Sequence, residues 1–530
     1  MKVSAFRAGV FLLLFLVEIH PCHAGGDDAT RLAAQIDRHI SGRWAGENVE
    51  PAPAASDAEF MRRVYLDIGG KIPPVSELRE FLDDPSPDRR RKLVDQLLAG
   101  PNYIVHFTTV WRTAMIPEVG SDIQVRLLVP SFEAWLREKL TTNVGYDGII
   151  REILTVPLNE QASNPFGGLS EPTPTSFYRA KQLKPENLAA CVSRAFLGVR
   201  IECAQCHDHP FDRWKRNDFW SLAAFFGGIE RIGSSELGIF GGVRERTDRR
   251  EIEIPDTGEI VQAAYLDGGQ PKWRFKIGPR ATLADWVVSA DNPYFARAAV
   301  NRMWAHFCGV GLVDPLDDFG ENNPPSHPEL LDELADAFAA HDFDLKFLIR
   351  AIAISHTYGL SSNQTNKRQE DRRLFARVHL RRLTAEQMFA SLAQATGRYE
   401  PFSVRNQFDF SSTSARSEVL ETFSSDTPPS EDPYISILQA LAMMNGALTA
   451  DATSLDKSTT LAAVLEFPLA ETADRVEALY LAALSRKPTD KELVRMVKYV
   501  DVGGPRGDPK RALADLFWAL LNSSEFMFNH

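Results

Sequence analysis

The sequence predicts a mainly α fold, with two helical domains joined by a short β-rich insert or linker. Two patterns carry this reading. Before residue 228 and after residue 280, apolar residues recur at helical spacing between Ser, Pro and Gly punctuation. From Gly227-Gly228 to about residue 279, apolar residues instead alternate with charge at a period of two.

The elements follow in order. Lys2 and Arg7 precede an apolar core at 8–17, and Cys22-His23-Ala24 supplies small residues for cleavage, so residues 1–24 read as a signal peptide. No later apolar run has membrane-spanning length, so the mature chain is expected to lack a transmembrane segment and to be exported, periplasmic or extracellular. Residues 58–67 read as a helix that Pro73-Pro74 closes off. Ser86-Pro87 opens the next, with Leu93, Val94, Leu97 and Leu98 as its stripe and Gly100 at its stop. Helices are expected at 132–140, 147–154 and 186–197, with a surface loop at 159–175. In the β-rich linker, 229–279, Ile252 and Ile254 form one alternating run and Trp273, Phe275 and Ile277 another, with a turn at Gly268-Gly269. Helices resume at 283 and include 326–339, 345–355, 472–484 and 511–521. The Ser/Thr/Pro-rich stretch 411–432 reads as a loop. The expected domains are 31–228 and 280–530, flanking the linker.

The chain has 59 Lys and Arg against 71 Asp and Glu, a net charge of −12, which argues against nucleic acid and anionic membrane surfaces as partners. Five cysteines in 530 residues do not make a disulfide scaffold. No G-x-S-x-G, H-E-x-x-H or Walker loop is present. Asp67, Asp317, Asp318, Glu329, Asp332 and Asp344 stand in distinctive contexts, but caps and solvated faces account for such carboxylates.

Cys203-Ala204-Gln205-Cys206-His207 is the pattern of covalent haem c attachment. Two thiols three residues apart reach the two vinyl edges of one porphyrin, and His207 follows as axial iron ligand. Pro210 to Phe226 adds aromatic residues that could wall a haem. Met115, Met303, Met388, Met443, Met444, His106, His306, His327 and His356 are second-ligand candidates by type, and an open sixth position is equally allowed. His209, two residues beyond His207, does not reach the opposite face of the same iron. Other uses stay open: a zinc or iron site from Cys191, Cys203, Cys206, His207 or His209, and Asp212 in a non-redox scaffold; a local Cys203–Cys206 disulfide; or a metal-dependent enzyme using His207, Asp208, His209 and Asp212.

These residues resemble a planctomycete-type secreted arrangement, in which a "planctomycete cytochrome C" type domain of unknown function precedes a companion domain of unknown function. The first resemblance rests on Arg62 to Asp67, Phe196 to Val199 and Cys203 to Trp214. The second rests on Asn292 to Arg297, Asn301 to Trp304, Asp317 to Gly320, His327 to Asp332, Leu383 to Glu386 and Trp518 to Phe526. The resemblance implies haem binding at C-x-x-C-H and an envelope assembly with a redox or sulfatase-like protein partner, in polysaccharide use. Many relatives carry a further small cytochrome domain, whereas these 530 residues hold a single C-x-x-C-H.

Overall fold

The computed structural model describes residues 24–120, 122–159, 172–232, 242–398, 415–423, 435–468 and 470–530. The expected signal peptide, apart from its residue 24, and most of the expected 159–175 loop lie outside them. The fold is mainly α, with three two-stranded antiparallel sheets among the described residues. No helix among them is long and apolar enough to cross a membrane.

The helical stripes fold as their spacing dictates. The helix Asp57–Gly69 begins at Ser56, whose Oγ accepts from Glu59 N at 3.2 Å, and ends on Gly70 in the left-handed region. Helix Arg89–Ala99 buries Leu93, Val94, Leu97 and Leu98, but starts three residues after the expected Ser cap. Ser86 N donates to Asp84 Oδ1 at 2.8 Å and Arg89 N to Ser86 O at 3.2 Å, so 84–88 form a turn first. Helices Val129–Thr141, Tyr146–Thr155, Pro185–Leu197, Pro328–Ala340, Leu345–Ala353, Thr472–Leu484 and Pro509–Leu521 lie where expected, within a few residues.

Two expectations are corrected. The run Trp273 to Ile277 is not a strand: Lys276 has φ 62°, Ile277 N donates back to Arg274 O at 3.2 Å, and Phe275 is exposed. The sheet pairs in the linker are instead Ile229–Ile232 with Gly242–Glu245, and Glu251–Glu253 with Ile260–Gln262. Within 411–432 a helix forms at Ala415–Phe423, because Val419 and Phe423 bury against neighbouring helices and override the polar composition.

Packing produces two apolar cores. The first runs from Ala29 to Ala376 and takes in Leu481, so residues of the 31–228 segment and of 280–376 share one interior. The second gathers residues from 383 to 527. Helix Asp57–Gly69 lies between them: Phe60, Val64 and Ile68 enter the first core and Leu66 the second. Its two arginines are fully buried. Arg62 donates to the carbonyls of Ala483, Glu525 and Phe526 and to Ser485 Oγ, at 2.9–3.3 Å. Arg63 donates to the carbonyls of Tyr358, Leu360 and His530, at 2.5–3.1 Å, and pairs with Glu59 at 2.9 Å. Each guanidinium thus staples distant chain ends to one helix. An Arg62→Met variant leaves those carbonyls unmet at about 1–3 kcal/mol each. We expect a loss of roughly 3 kcal/mol or more in urea denaturation, with amide exchange rising first in 476–527. Wild-type stability in this variant would remove the stapling role.

Candidate functional site around Cys203 to His207

Helix Pro185–Leu197 ends on Gly198 at φ 68°, a conformation that glycine adopts without strain. The Phe319 ring also lies so close that a Cβ at Gly198 would overlap it. The chain then dips through buried Ile201 and makes a 3-10 turn at Glu202–Gln205. Ala204 is fully buried, and its N donates to Ile201 O at 2.9 Å. That anchor turns the flanking Cys203 and Cys206 outward, and both are exposed. At about three residues per turn, thiols at i and i+3 share one side.

His207 is exposed as well. Its Nδ1 lies 2.8 Å from the Asp208 carbonyl, which only accepts, so Nδ1 donates there and the neutral form of the ring carries its lone pair on Nε2. The remaining motif residues build the loop. Asp208 Oδ1 accepts from Arg216 N at 2.9 Å, at the start of helix Arg216–Ala223. His209 N donates to Trp214 O at 2.7 Å, and His209 Nδ1 accepts from Phe211 N at 3.3 Å. Asp212 Oδ1 accepts from Arg213 N at 2.7 Å.

The expected aromatic wall stands elsewhere. Trp214, Phe219, Trp220, Phe225 and Phe226 are buried in the first core, because helix Arg216–Ala223 and the turn after it direct their apolar faces inward. Trp220 supports the motif from below, its Nε1 donating to Gln205 O at 3.0 Å. Phe211 alone of these rings stands out, at 80% exposure.

The other side of the loop is held by the companion segment, which sequence reasoning gave no part in the site. Arg200 Nε donates to Asp317 Oδ1 at 2.8 Å. Phe319 N donates to Gly198 O at 2.9 Å, and Asn322 Nδ2 to Phe211 O at 2.6 Å. Arg213 Nη2 donates to Tyr294 OH at 3.0 Å. At Gly320 a Cβ would meet Asp212 Oδ2, which lies against the glycine. Tyr294, Asp317, Phe319 and Gly320 fall in runs that carried the resemblance, whereas Asn322 falls in none of them.

Cys191 does not join the cluster. It is buried, its Sγ lies 3.7 Å from Met115 O, and burial raises its thiol pKa. Among the described residues no three His, Cys, Asp or Glu side chains converge as a metal site. The fourth described cysteine, Cys308, is also buried, which pushes its thiol up to about 12. The donor set thus fits a covalently held haem, with two accessible thiols on one turn and an imidazole with Nε2 free. It does not gather the set Cys191, Cys203, Cys206, His209 and Asp212 around one ion. Two of the other singled-out carboxylates have structural partners: Asp344 caps Leu345–Ala353, and Asp332 pairs with Arg297 at 2.5 Å.

Residues 35–231 match PSCyt2, a protein of unknown function (DUF1549), and residues 279–415 match PSD1, a protein of unknown function (DUF1553). The second match stops short of the terminal Trp518 to Phe526 run. No curated protein and no solved structure matches the chain. The chain belongs to the planctomycete-type proteins in which a cytochrome C type domain of unknown function, PSCyt2, is followed by its companion PSD1.

Proposed function

We propose that the protein is exported and carries one c-type haem, with Cys203 and Cys206 as thioether anchors and His207 as axial ligand, for electron transfer or haem-based redox chemistry in an envelope assembly. The observation that carries this reading is the motif turn itself: both thiols are exposed, while Asp208 O takes His207 Nδ1 and leaves Nε2 for iron. The haem would supply the redox couple. The protein's residues support the motif that would hold it: Ala204 and Trp220 hold the turn from inside, and Asp317, Asn322 and Tyr294 clasp the loop from the companion segment. That clasp gives the companion segment a task in the same reading, as the rigid support of the motif.

The test is expression with a haem-attachment system, followed by haem staining of a denaturing gel and a pyridine haemochrome spectrum. One covalent haem per chain is expected, and Cys203→Ser with Cys206→Ser should abolish it while the helical circular dichroism is retained. A colourless protein holding stoichiometric zinc would sink the proposal.

A further inference from the structure

We infer that an iron bound at His207 takes no second ligand from this chain and leaves its opposite side open to a small ligand such as carbon monoxide, nitric oxide, cyanide or peroxide. This rests on the haem reading of the same motif. Saturated c-type sites complete their iron with a methionine sulfur or a second imidazole. Beyond residue 23, every methionine and histidine of the chain lies among the described residues, so each can be placed.

Six of the methionines beyond residue 23 are engaged in a core. Met61, Met115 and Met303 are buried in the first core, and Met388, Met443 and Met527 in the second. Withdrawing one to a surface turn would empty a core position at about 2–5 kcal/mol. Met444 and Met496 sit on helices of the 383–530 body. The hydrogen bonds and ion pairs of the motif loop reach instead to Arg194, Trp220, Tyr294, Glu321 and Asn322.

The histidines are placed as firmly. His306 Nε2 lies 2.8 Å from Asp67 O, and the buried His106 ring packs 5.5 Å from the partly buried His306 ring. His327 and His379 are buried in other parts of the fold. His39 meets Glu333, His341 meets Asp28, and the backbone of His356 meets Asp37. His530 lies by Arg62 and Arg63 at the chain end. His209 alone shares the loop. Its backbone is tied to Trp214 O and its Nδ1 to Phe211 N, on the same short stretch that carries His207.

An iron with one imidazole and an open side binds exogenous ligands, whereas a saturated iron resists them. The site therefore suits capture or turnover of a small redox-active molecule better than shuttling at a closed iron.

The experiment uses the full chain with attached haem, first quantified by pyridine haemochrome. The ferrous protein at neutral pH is titrated with carbon monoxide and followed by its Soret band, alongside His209→Ala. The expected result is a five-coordinate ferrous spectrum and one carbon monoxide bound per haem, the same in both proteins. A six-coordinate low-spin ferrous spectrum that resists carbon monoxide overturns the open side and leaves the haem reading standing. Carbon monoxide binding only after His209→Ala overturns it too, by naming His209 as the second ligand. No covalent haem in the haemochrome assay overturns the haem reading and this inference with it.

Discussion

Asp67→Ala is expected to destabilise the protein by about 3–5 kcal/mol, because it strands a buried guanidinium. Asp67 is 1% exposed, and Arg381 Nη2 donates to both its oxygens, at 3.0 and 2.9 Å. Tyr358 OH donates to the same carboxylate at 2.8 Å and Asn529 Nδ2 at 2.7 Å. Burial first, and the neighbouring Asp67 charge second, push the Tyr358 phenol well up, so it stays a donor. The network thus joins helix Asp57–Gly69 to the loop after Leu345–Ala353. It also reaches the two-stranded pairing of Arg381–Arg382 with Phe528–Asn529. Removing the carboxylate leaves three donors without their acceptor in a dry interior. Most of the loss belongs to the uncompensated Arg381, so Asp67→Ala with Arg381→Met should recover part of it. Urea denaturation of both variants and the wild type measures this. A single variant within about 1 kcal/mol of wild type would mean that water reaches the site and rescues the charge.

That network also marks what the sequence left unread. The stripe Leu93, Val94, Leu97 and Leu98 was legible because helical spacing alone decides which side faces a core, whatever that core is made of. The alternation of Trp273, Phe275 and Ile277 misled because period two reports a pattern and not a partner. No strand pairs with it, and Lys276 turns the chain instead. Asp67 and Asn529 meet across 462 residues, and no local pattern announces such a contact. The candidate site divides in the same way. The C-x-x-C-H spacing placed Cys203, Cys206 and His207 on one exposed turn, since that constraint is local. Asp317, Gly320 and Asn322 meet the loop only because two segments share the first core. The aromatics of 211–226 were legible as a cluster, but composition cannot say whether a ring faces a ligand or an interior.

Mild acid should unfold the protein from within. Burial foremost, and a neighbouring basic side chain after it, hold three histidines far below their ordinary range: His106 beside His306, His327 beside Arg43, and His379 beside Arg377, each at about 3. His530, buried near Arg62, is lowered to about 4. These imidazoles stay neutral in the folded chain, while an unfolded chain protonates them near pH 6.5. Below that pH the unfolded state binds more protons, so stability falls as pH falls, and the loss continues until the folded groups titrate near pH 3–4. Each such histidine contributes a slope of about 1.4 kcal/mol per pH unit, so the three at about 3 together give about 4 kcal/mol per unit once the unfolded imidazoles are charged. Carboxylates add to the loss only lower down: Glu492, held at about 2 chiefly by Arg486, loses its contribution below about pH 4.5. The histidine phase is therefore separable, between about pH 6.5 and 4.5. Urea midpoints taken across that window should fall steeply, and His379→Gln should flatten the slope by one proton's worth. A flat profile from pH 7 to 5 would mean that these rings are already protonated or solvated in the folded protein.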